Sequence, residues 1–518
     1  MGEEWVLADT LLASAEADAG KVAVVVGDRN ETYATLVDEA LRFARGLQEL
    51  GLERGDRVVV QAQNGWGAVV AIYGVTLAGG VFVVVNPQTK SEKLAYVLRD
   101  SGAAFLVIQN SLLGAFTGIG EPPSPTFRQA IVIGEPSDQP GASLSLDEVV
   151  RSSDPAPAGR NIATDLAALI YTSGSTGNPK GVMMRHENVV FTLQSLCRYL
   201  RLSADDRILN FLPLAFDYGL YQLLMAVRLG GTLVLEHSFT FPPQIVARAA
   251  EHEVTVFPGV PTVYSGLRAL AREREGLELP SVRRVTNTAA ALAPAILDDL
   301  RGIFPNALIF AMYGLTECKR VSYLEPELLA ERPSSVGRAI PGTEAVVLVD
   351  GRPADPGEVG ILHVRGPHVM AGYWNQPELT AEMLVPGPTP GESMLCTHDA
   401  FTIDEDGLLY FVGRTDDIIK SGGQKVSPVE IENVLYSLDG VRDAAVVGVP
   451  HEMLGEAIRA FVVPHAGVTL SERDVIRACR ARLEAFMVPH EVVFRTELPA
   501  TESGKVRKKS LGEEAAPS

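Results

Sequence analysis

What is scarce in this sequence narrows its class first. The 518 residues include only four cysteines, Cys197, Cys318, Cys396 and Cys479, scattered with no C-x-x-C spacing. That argues against a disulfide framework and against a cysteine-built metal site, and it points to reduced thiols in a cytoplasmic protein. Positive charge is in deficit: 45 Lys and Arg face 64 Asp and Glu, a formal net charge of −19. No nucleic-acid partner is expected of such a chain, although a local basic site for a small anion can sit in an acidic protein. Met1 to Thr10 carries acids and lacks the basic-then-apolar pattern of a leader. Trp66 to Val85 stays uncharged for about twenty residues, the length of a membrane span. Gly79 and Gly80 interrupt it, and Val81, Phe82, Val83, Val84 and Val85 follow. The expectation is a buried helix, a glycine turn and a buried strand ending at Asn86-Pro87, and no membrane span. Internal repeats and low-complexity tracts are absent as well.

A chain this long exceeds one compact core, so at least two domains are expected. Hydrophobic content of 46% and charged content of 21% fit an ordinary globular protein. From Thr32 the pattern alternates: a helix over Tyr33–Leu50, a Val-rich strand over Arg57–Gln61, a helix over Lys93–Asp100, a strand over Ala103–Ile108. The alternation resumes with strands over Leu209–Leu214, Thr232–Leu235, Val254–Gly259, Val282–Thr286 and Leu308–Met312, and a helix over Tyr218–Leu229. This is the rhythm of an α/β domain of helix-covered parallel sheets. After Ser335, short strands at Ala345–Val349 and Gly360–Arg365 with Gly/Pro turns read as a small β-rich lobe. A last α+β segment follows Gly413, with elements over Pro428–Ser437, Val441–Val449, Arg459–Pro464 and Glu472–Leu483. The division expected is a large N-terminal domain, residues 1–413, and a small mobile C-terminal one, residues 417–518.

The chemistry concentrates at 169–182, Leu-Ile-Tyr-Thr-Ser-Gly-Ser-Thr-Gly-Asn-Pro-Lys-Gly-Val. A buried strand over Leu166–Tyr171 breaks into Thr172, Ser173, Gly174, Ser175, Thr176 and Gly177, then reaches Pro179 and Lys180, with a helix beginning past Arg185. Glycines let backbone N–H groups crowd an anion, hydroxyls add donors, and Lys180 adds a positive charge. Holding a polyphosphate is the chemistry this suits. The spacing is not that of the Walker loop, and a Ser/Gly/Thr run by itself also reads as a linker. Ligands of open α/β sheets sit beyond the carboxyl ends of strands. Three further pieces occupy such ends: Phe216-Asp217, residues Asn287–Leu292, and Tyr313-Gly-Leu-Thr-Glu317.

The glycine-hydroxyl loop, the Tyr-Gly-Leu-Thr-Glu motif, Cys-Thr-His-Asp399, Phe411-Val-Gly-Arg414 and Thr-Glu-Ser-Gly-Lys505 stand in one order over nearly the whole chain. That order resembles the adenylate-forming superfamily of acyl-CoA synthetases, luciferases and peptide-synthetase adenylation domains. The resemblance implies that ATP is bound by the loop and Lys180, with Ala289 and Ala290 beside the nucleotide. Tyr313 would stack on adenine, Thr316 contact the α-phosphate and Glu317 hold Mg²⁺, an ion that takes one or two protein oxygens plus phosphate oxygens. Asp399 would accept the ribose hydroxyls, with His398 where the family usually has glycine. Phe411 and Arg414 would pack on the nucleotide and contact ribose or phosphate. Lys505 would be the catalytic lysine that stabilises charge developing at the α-phosphate, and Asp416 the hinge. Gly422 and Gly423 would line a thiol tunnel for a pantetheine arm. Read without the resemblance, Glu317 is a solvated acid after a strand, Asp399 a turn aspartate, Asp416 a surface acid and Lys505 part of a basic tail, while His186 reads as a capping or packing residue or as a catalytic one.

The acid to be activated is less legible. The resemblance places Phe216, Asp217, Leu220, Ala291, Met312, Gly314, Lys319 and Arg320 around a small carboxylic acid. Phe-Asp-Tyr-Gly and the basic pair after Glu317 look like stand-alone enzymes loading β-amino acids on carrier proteins in natural-product pathways. Asp217 then binds an amino group; as an alternative it caps the following helix, a role aspartate favours. The expectation is adenylation of an amino acid and its transfer to the phosphopantetheine of a separate carrier protein. An acyl-CoA or aryl-CoA ligase using coenzyme A is the alternative, and a non-catalytic nucleotide-binding homologue a third reading.

Overall fold

The computed structural model describes residues 4–513 except 120–123, 136–143, 156–160, 173–178, 275, 289–293, 415–416, 422–423, 452–453, 484 and 501–505. The uncharged run divides as expected, into the helix Trp66–Ala78 and the strand Val81–Val85. Gly79 ends the helix at φ 92, a left-handed conformation that glycine enters at no steric cost. Helix and strand are buried almost throughout. The run is apolar all round because water reaches no face of it. Among the described residues no helix is long and apolar enough to cross a membrane.

Two large sheets make the N-terminal part. One runs Gly372–Tyr373, Lys180–Arg185, Leu166–Thr172, Val81–Val85, Arg57–Gln61, Phe105–Gln109, Gln129–Ile133 and Leu144–Ser145. The other is centred on the parallel strands Thr232–Leu235, Arg207–Asn210, Val256–Gly259, Arg284–Asn287 and Leu308–Tyr313. Its far edge is supplied by Val22–Val26, parallel to Thr232–Leu235, and by Arg29–Thr32. Buried Asn64 ties the two sheets together: its Nδ2 donates to Leu212 O (3.0 Å) and Glu236 O (2.9 Å), and its Oδ1 accepts from Leu214 N (3.1 Å).

One expectation is corrected, and the helix expected past Arg185 is found. The strand expected over Leu209–Leu214 is Arg207–Asn210, because Asn210 Oδ1 takes the Leu212 N–H at 3.0 Å and turns the chain out of the sheet. The stretch after the glycine-hydroxyl loop is the strand Lys180–Arg185, antiparallel to Leu166–Thr172, before the helix His186–Tyr199 begins. The two strands on either side of the loop form an antiparallel hairpin pair.

The β-rich lobe is a sheet of Glu344–Val349, Gly360–Arg365, Ser393–Ile403, Leu409–Arg414 and shorter strands. Beyond it, antiparallel Val441–His451 and Gly455–Pro464 carry the helices Pro428–Tyr436 and Glu472–Arg480 on an apolar cluster of their own, including Ile431, Leu435, Val446, Ile458 and Val475. The final short helix Lys508–Glu513 is pinned to this unit by Lys508 Nζ, 2.7 Å from Glu432 Oε1, which also accepts the Val446 N–H at 2.8 Å.

His186 is fully buried, and its Nδ1 accepts the Leu7 N–H at 3.1 Å. The packing role left open for it is therefore the one its contacts describe. Burial lowers its pKa to about 4, against the opposing charges of Asp165 and Asp9. Burial does the same to His368, also to about 4. The unfolded chain takes up these protons near pH 6.5 and the folded protein only near pH 4. Between the two the unfolded state binds more protons. Stability is therefore complete above that window and falls as the pH drops through it, by about 1.4 kcal/mol per unit for each histidine. Urea unfolding at about pH 7 and about pH 5 measures the loss. His186→Gln, whose amide oxygen accepts the same N–H without titrating, shows a smaller one.

Candidate active site

The strand Leu308–Tyr313 folds back on Ser322–Tyr323, pairing Met312 with Tyr323 and Tyr313 with Ser322. The turn between them carries Thr316, Glu317, Lys319 and Arg320. Its backbone closes on itself: Lys319 N–H donates to Leu315 O (2.7 Å) and Val321 N–H to Tyr313 O (2.9 Å). Gly314 is required for that closure, since a Cβ there would lie 2.2 Å from Lys319 O. Lys319 itself sits at φ 62, a region that few residues other than glycine adopt and that functional sites often tolerate.

On one side of the turn, Glu317 meets the strand Gly372–Tyr373, which pairs with the strand that follows the glycine-hydroxyl loop. Tyr373 OH donates to Glu317 Oε1 at 2.6 Å, and Lys180 Nζ stands 5.7 Å from the centre of the Tyr373 ring. Sheet pairing supplies the tyrosine: Tyr373 lies opposite Val182 in the strand Lys180–Arg185. Thr172 and Lys180 face each other across the two strands that flank the loop. Thr316 is half-buried in the turn beside Glu317.

Asp399 lies in a strand, not in the turn that its sequence context also allowed. It stands opposite Arg414 in register. Tyr313 OH donates to Asp399 Oδ2, and Arg414 Nε donates to Asp399 Oδ1 at 3.3 Å. Burial, with Asp399 adding to it, pushes the Tyr313 phenol well above its ordinary pKa, so it stays a donor. Tyr313 stacks against Phe411 (6.0 Å between centroids) and meets Phe401 edge-on (4.8 Å). His398 takes φ 55, which accounts for a glycine being usual there in the resembled family.

On the other side, the turn delivers two cations into an aromatic enclosure. Lys319 is 2% exposed and Arg320 5% exposed. Lys319 Nζ is 5.9 Å from the Tyr221 ring centre, and the Arg320 guanidinium is 4.8 Å from that of Tyr218. Burial lowers the Lys319 pKa, opposed first by the charge of Asp217 and then by that of Glu317. Asp217 is the first residue of the helix Asp217–Leu229, and its Oδ1 accepts the Tyr218 N–H at 2.8 Å. Phe216 is the half-buried residue just ahead of that helix. Tyr199 closes the enclosure, its OH donating to Met312 Sδ at 3.1 Å and its ring stacked on Tyr323 at 4.2 Å. Leu220 packs into the main apolar core.

Ser173, Gly174, Ser175, Thr176, Gly177, Ala289, Ala290, Ala291, Asp416, Gly422, Gly423 and Lys505 lie outside the described residues. The structure brings together Lys180, Glu317, Tyr313, Asp399, Phe411 and Arg414. It adds Tyr373 and Phe401, which carry no local motif and were missed. Tyr199 and Tyr221 were missed too; the only signal available was Tyr221 lying three residues past Tyr218 on one helix face.

A family model described as AMP-binding enzyme matches residues 11–374, and one described as AMP-binding enzyme C-terminal domain matches residues 430–505. A long-chain-fatty-acid–CoA ligase of Bacillus subtilis (strain 168) is 30% identical, over 98% of this chain and 94% of its own. A feruloyl-CoA synthase of Amycolatopsis sp is 33% identical over 94% of each chain. Among solved structures, the anthranilate CoA ligase AuaEII in complex with anthranoyl-AMP matches with a TM-score of 0.91 at 26% identity, covering 99% of this chain and 98% of that one.

Tyr373 makes two separable contacts. Tyr373→Phe keeps the ring beside Lys180 and removes the hydroxyl from Glu317, while Tyr373→Ala removes both. In ATP–pyrophosphate exchange the phenylalanine variant loses roughly tenfold, the worth of one hydrogen bond to a charged group. The alanine variant loses on the order of 10²-fold or more. Equal rates for the two variants would show that the hydroxyl contact alone matters.

Proposed function

This chain belongs to the AMP-binding enzyme family, and we propose that it joins a small polar carboxylic acid to coenzyme A. It is an AMP-forming ligase, and the first half of its reaction is ATP-dependent formation of an acyl-adenylate. A carboxylate oxygen attacks the α-phosphorus of ATP, and the bond from that phosphorus to the pyrophosphate oxygen breaks. In the second half the acceptor sulfur attacks the acyl carbon, the bond from that carbon to the AMP oxygen breaks, and AMP leaves.

The observation that carries this reading is the meeting of Lys180, Tyr373 and Glu317 beside the Tyr313–Asp399–Arg414 cluster. Tyr313 ends its strand and Glu317 stands in the turn that follows, so the two groups share one strand end. The Lys180 ammonium suits phosphate oxygens. The Asp399 carboxylate, positioned from both sides by Tyr313 and Arg414, suits ribose hydroxyls, and the Tyr313 and Phe411 rings suit a base. Glu317 fits Mg²⁺: its Oε1 accepts the Tyr373 hydroxyl while the carboxylate borders the phosphate-holding hairpin. Among the described residues no group of three His, Cys, Asp or Glu side chains could hold a metal. An ion bound here would therefore complete its shell with phosphate and water oxygens, as Mg²⁺ commonly does. Such an ion would neutralise phosphate charge. Lys505 is assigned the α-phosphate, Asp416 the hinge between half-reactions, and Gly422 and Gly423 the thiol's path.

Coenzyme A replaces the carrier protein as the leading acceptor, because the relatives are named for CoA chemistry and nothing among them supports transfer to a carrier. Asp217 keeps a role in substrate choice as the partner of an amino group on the acid, a reading favoured by its half-buried place beside Lys319.

Pyrophosphate release and thioester formation, followed over a panel of amino, fatty and aryl acids with either coenzyme A or a holo carrier protein, test the acceptor. Thioester on the carrier alone would overturn the choice of coenzyme A. Lys505→Ala should lower adenylation by ~10²–10³ in rate while the protein stays folded; wild-type exchange would remove Lys505 from the reaction. The helix cap is Phe216 and not Asp217, so the capping alternative falls; Asp217→Asn keeps a side-chain oxygen able to accept the Tyr218 N–H. It should lose an amine-bearing acid selectively against its des-amino analogue. Full activity on the amine would sink that role.

A further inference from the structure

The two cations in the aromatic enclosure have no use in the reaction described so far. Among the described residues Lys319 Nζ has no hydrogen-bond partner, and neither has Arg320 Nε or the Ser322 hydroxyl. Arg320 spends one donor inward, from Nη1 to Lys319 O at 2.8 Å. A buried ammonium needs both hydrogen bonds and a counter-charge, and leaving either unmet is costly. The nearby carboxylates are Asp217 and Glu317. Glu317 is engaged by Tyr373 on the phosphate side of the turn. Asp217 remains, one carboxylate for two cations. If an amine of the substrate takes Asp217, both cations stand unmatched, so the shortfall exists with or without that amine. The turn also holds Lys319 in a left-handed conformation to put its side chain there.

We propose that Lys319 and Arg320 form a second anion subsite, and that the acid activated by this enzyme is a dicarboxylic acid. This rests on the acid-activating reading above. The carboxylate that reacts points to the nucleotide side of the turn, and the other is received on its opposite side by the Lys319 ammonium and the free Nε–H of Arg320. Tyr221 and Tyr218 flank it, and Ser322 lies in the same hairpin. A pocket built this way rejects an acid that lacks the second carboxylate, because its buried donors are then left without acceptors.

The test uses full-length enzyme, ATP–pyrophosphate exchange and matched pairs of acids: succinate against butyrate, aspartate against 3-aminobutyrate, and isophthalate against benzoate. The dicarboxylic member of at least one pair should lead by roughly 10²-fold or more in kcat/KM. Lys319→Met and Arg320→Met should each collapse that ratio, chiefly through KM for the dicarboxylic acid. Arg320→Lys, which keeps a cation, should retain part of it. Circular dichroism and the unfolding midpoint separate loss of the subsite from loss of the fold, and where Lys319→Met is unfolded the Arg320 pair decides. Preference for the monocarboxylic members, or a ratio unmoved in folded variants, overturns the subsite and leaves the ligase reading standing. Exchange with no acid of either kind overturns both.

Discussion

The closure of the turn over Gly314 is the constraint on which the site depends. Only a residue without a Cβ lets the backbone of Lys319 pass so close. Once it does, one short turn serves two chambers. Glu317 is presented to the hairpin that carries Lys180, and Lys319 and Arg320 are driven into the tyrosine enclosure. A carboxylate and two cations only a few residues apart are thus held on opposite sides of a rigid strand end. That strand end is where an α/β sheet leaves room for ligands.

Three separate sheets must agree for this to work. The sheet containing Leu308–Tyr313 supplies the turn, the sheet containing Leu166–Thr172 supplies Lys180 and Tyr373, and the β-rich lobe supplies Asp399, Phe411 and Arg414. Their registration is by hydrogen bonds between buried polar groups: Asn64 between the first two, and Tyr313 to Asp399 between the first and the lobe. Such bonds are strong in a low-dielectric interior and costly to leave unmade. The unit after Ile419 has its own apolar cluster and reaches the lobe through contacts such as Ser427 Oγ to Val412 O.

Much of the fold was legible because its signals are local. Trp66–Val85 showed a glycine break and a β-branched run, and it is a helix and a strand. The helices from Tyr33 and Tyr218 showed their periodicity and lie within a residue of expectation. Elsewhere local pattern failed for identifiable reasons. The Val22–Val26 strand stood outside the alternation because its partner, Thr232–Leu235, is some two hundred residues away along the chain. The strand expected to continue to Leu214 stops at Asn210 because an asparagine side chain captures the next backbone N–H.

Sequence by itself determined the chemical inventory: a glycine-hydroxyl loop followed by a lysine, a tyrosine and glutamate at a strand end, an aspartate and an arginine in short motifs, and a basic pair. It determined the α/β class too, since helix and strand periods are written in neighbouring residues. Tertiary structure alone decided that Tyr373 joins Lys180 to Glu317, that Tyr313 and Arg414 share Asp399, and that Lys319 and Arg320 are buried among tyrosines instead of solvated. Those facts depend on which strands pair and how closely two backbones approach. Pairing across a hundred or more residues is settled by burial of whole faces, not by any short stretch of the chain.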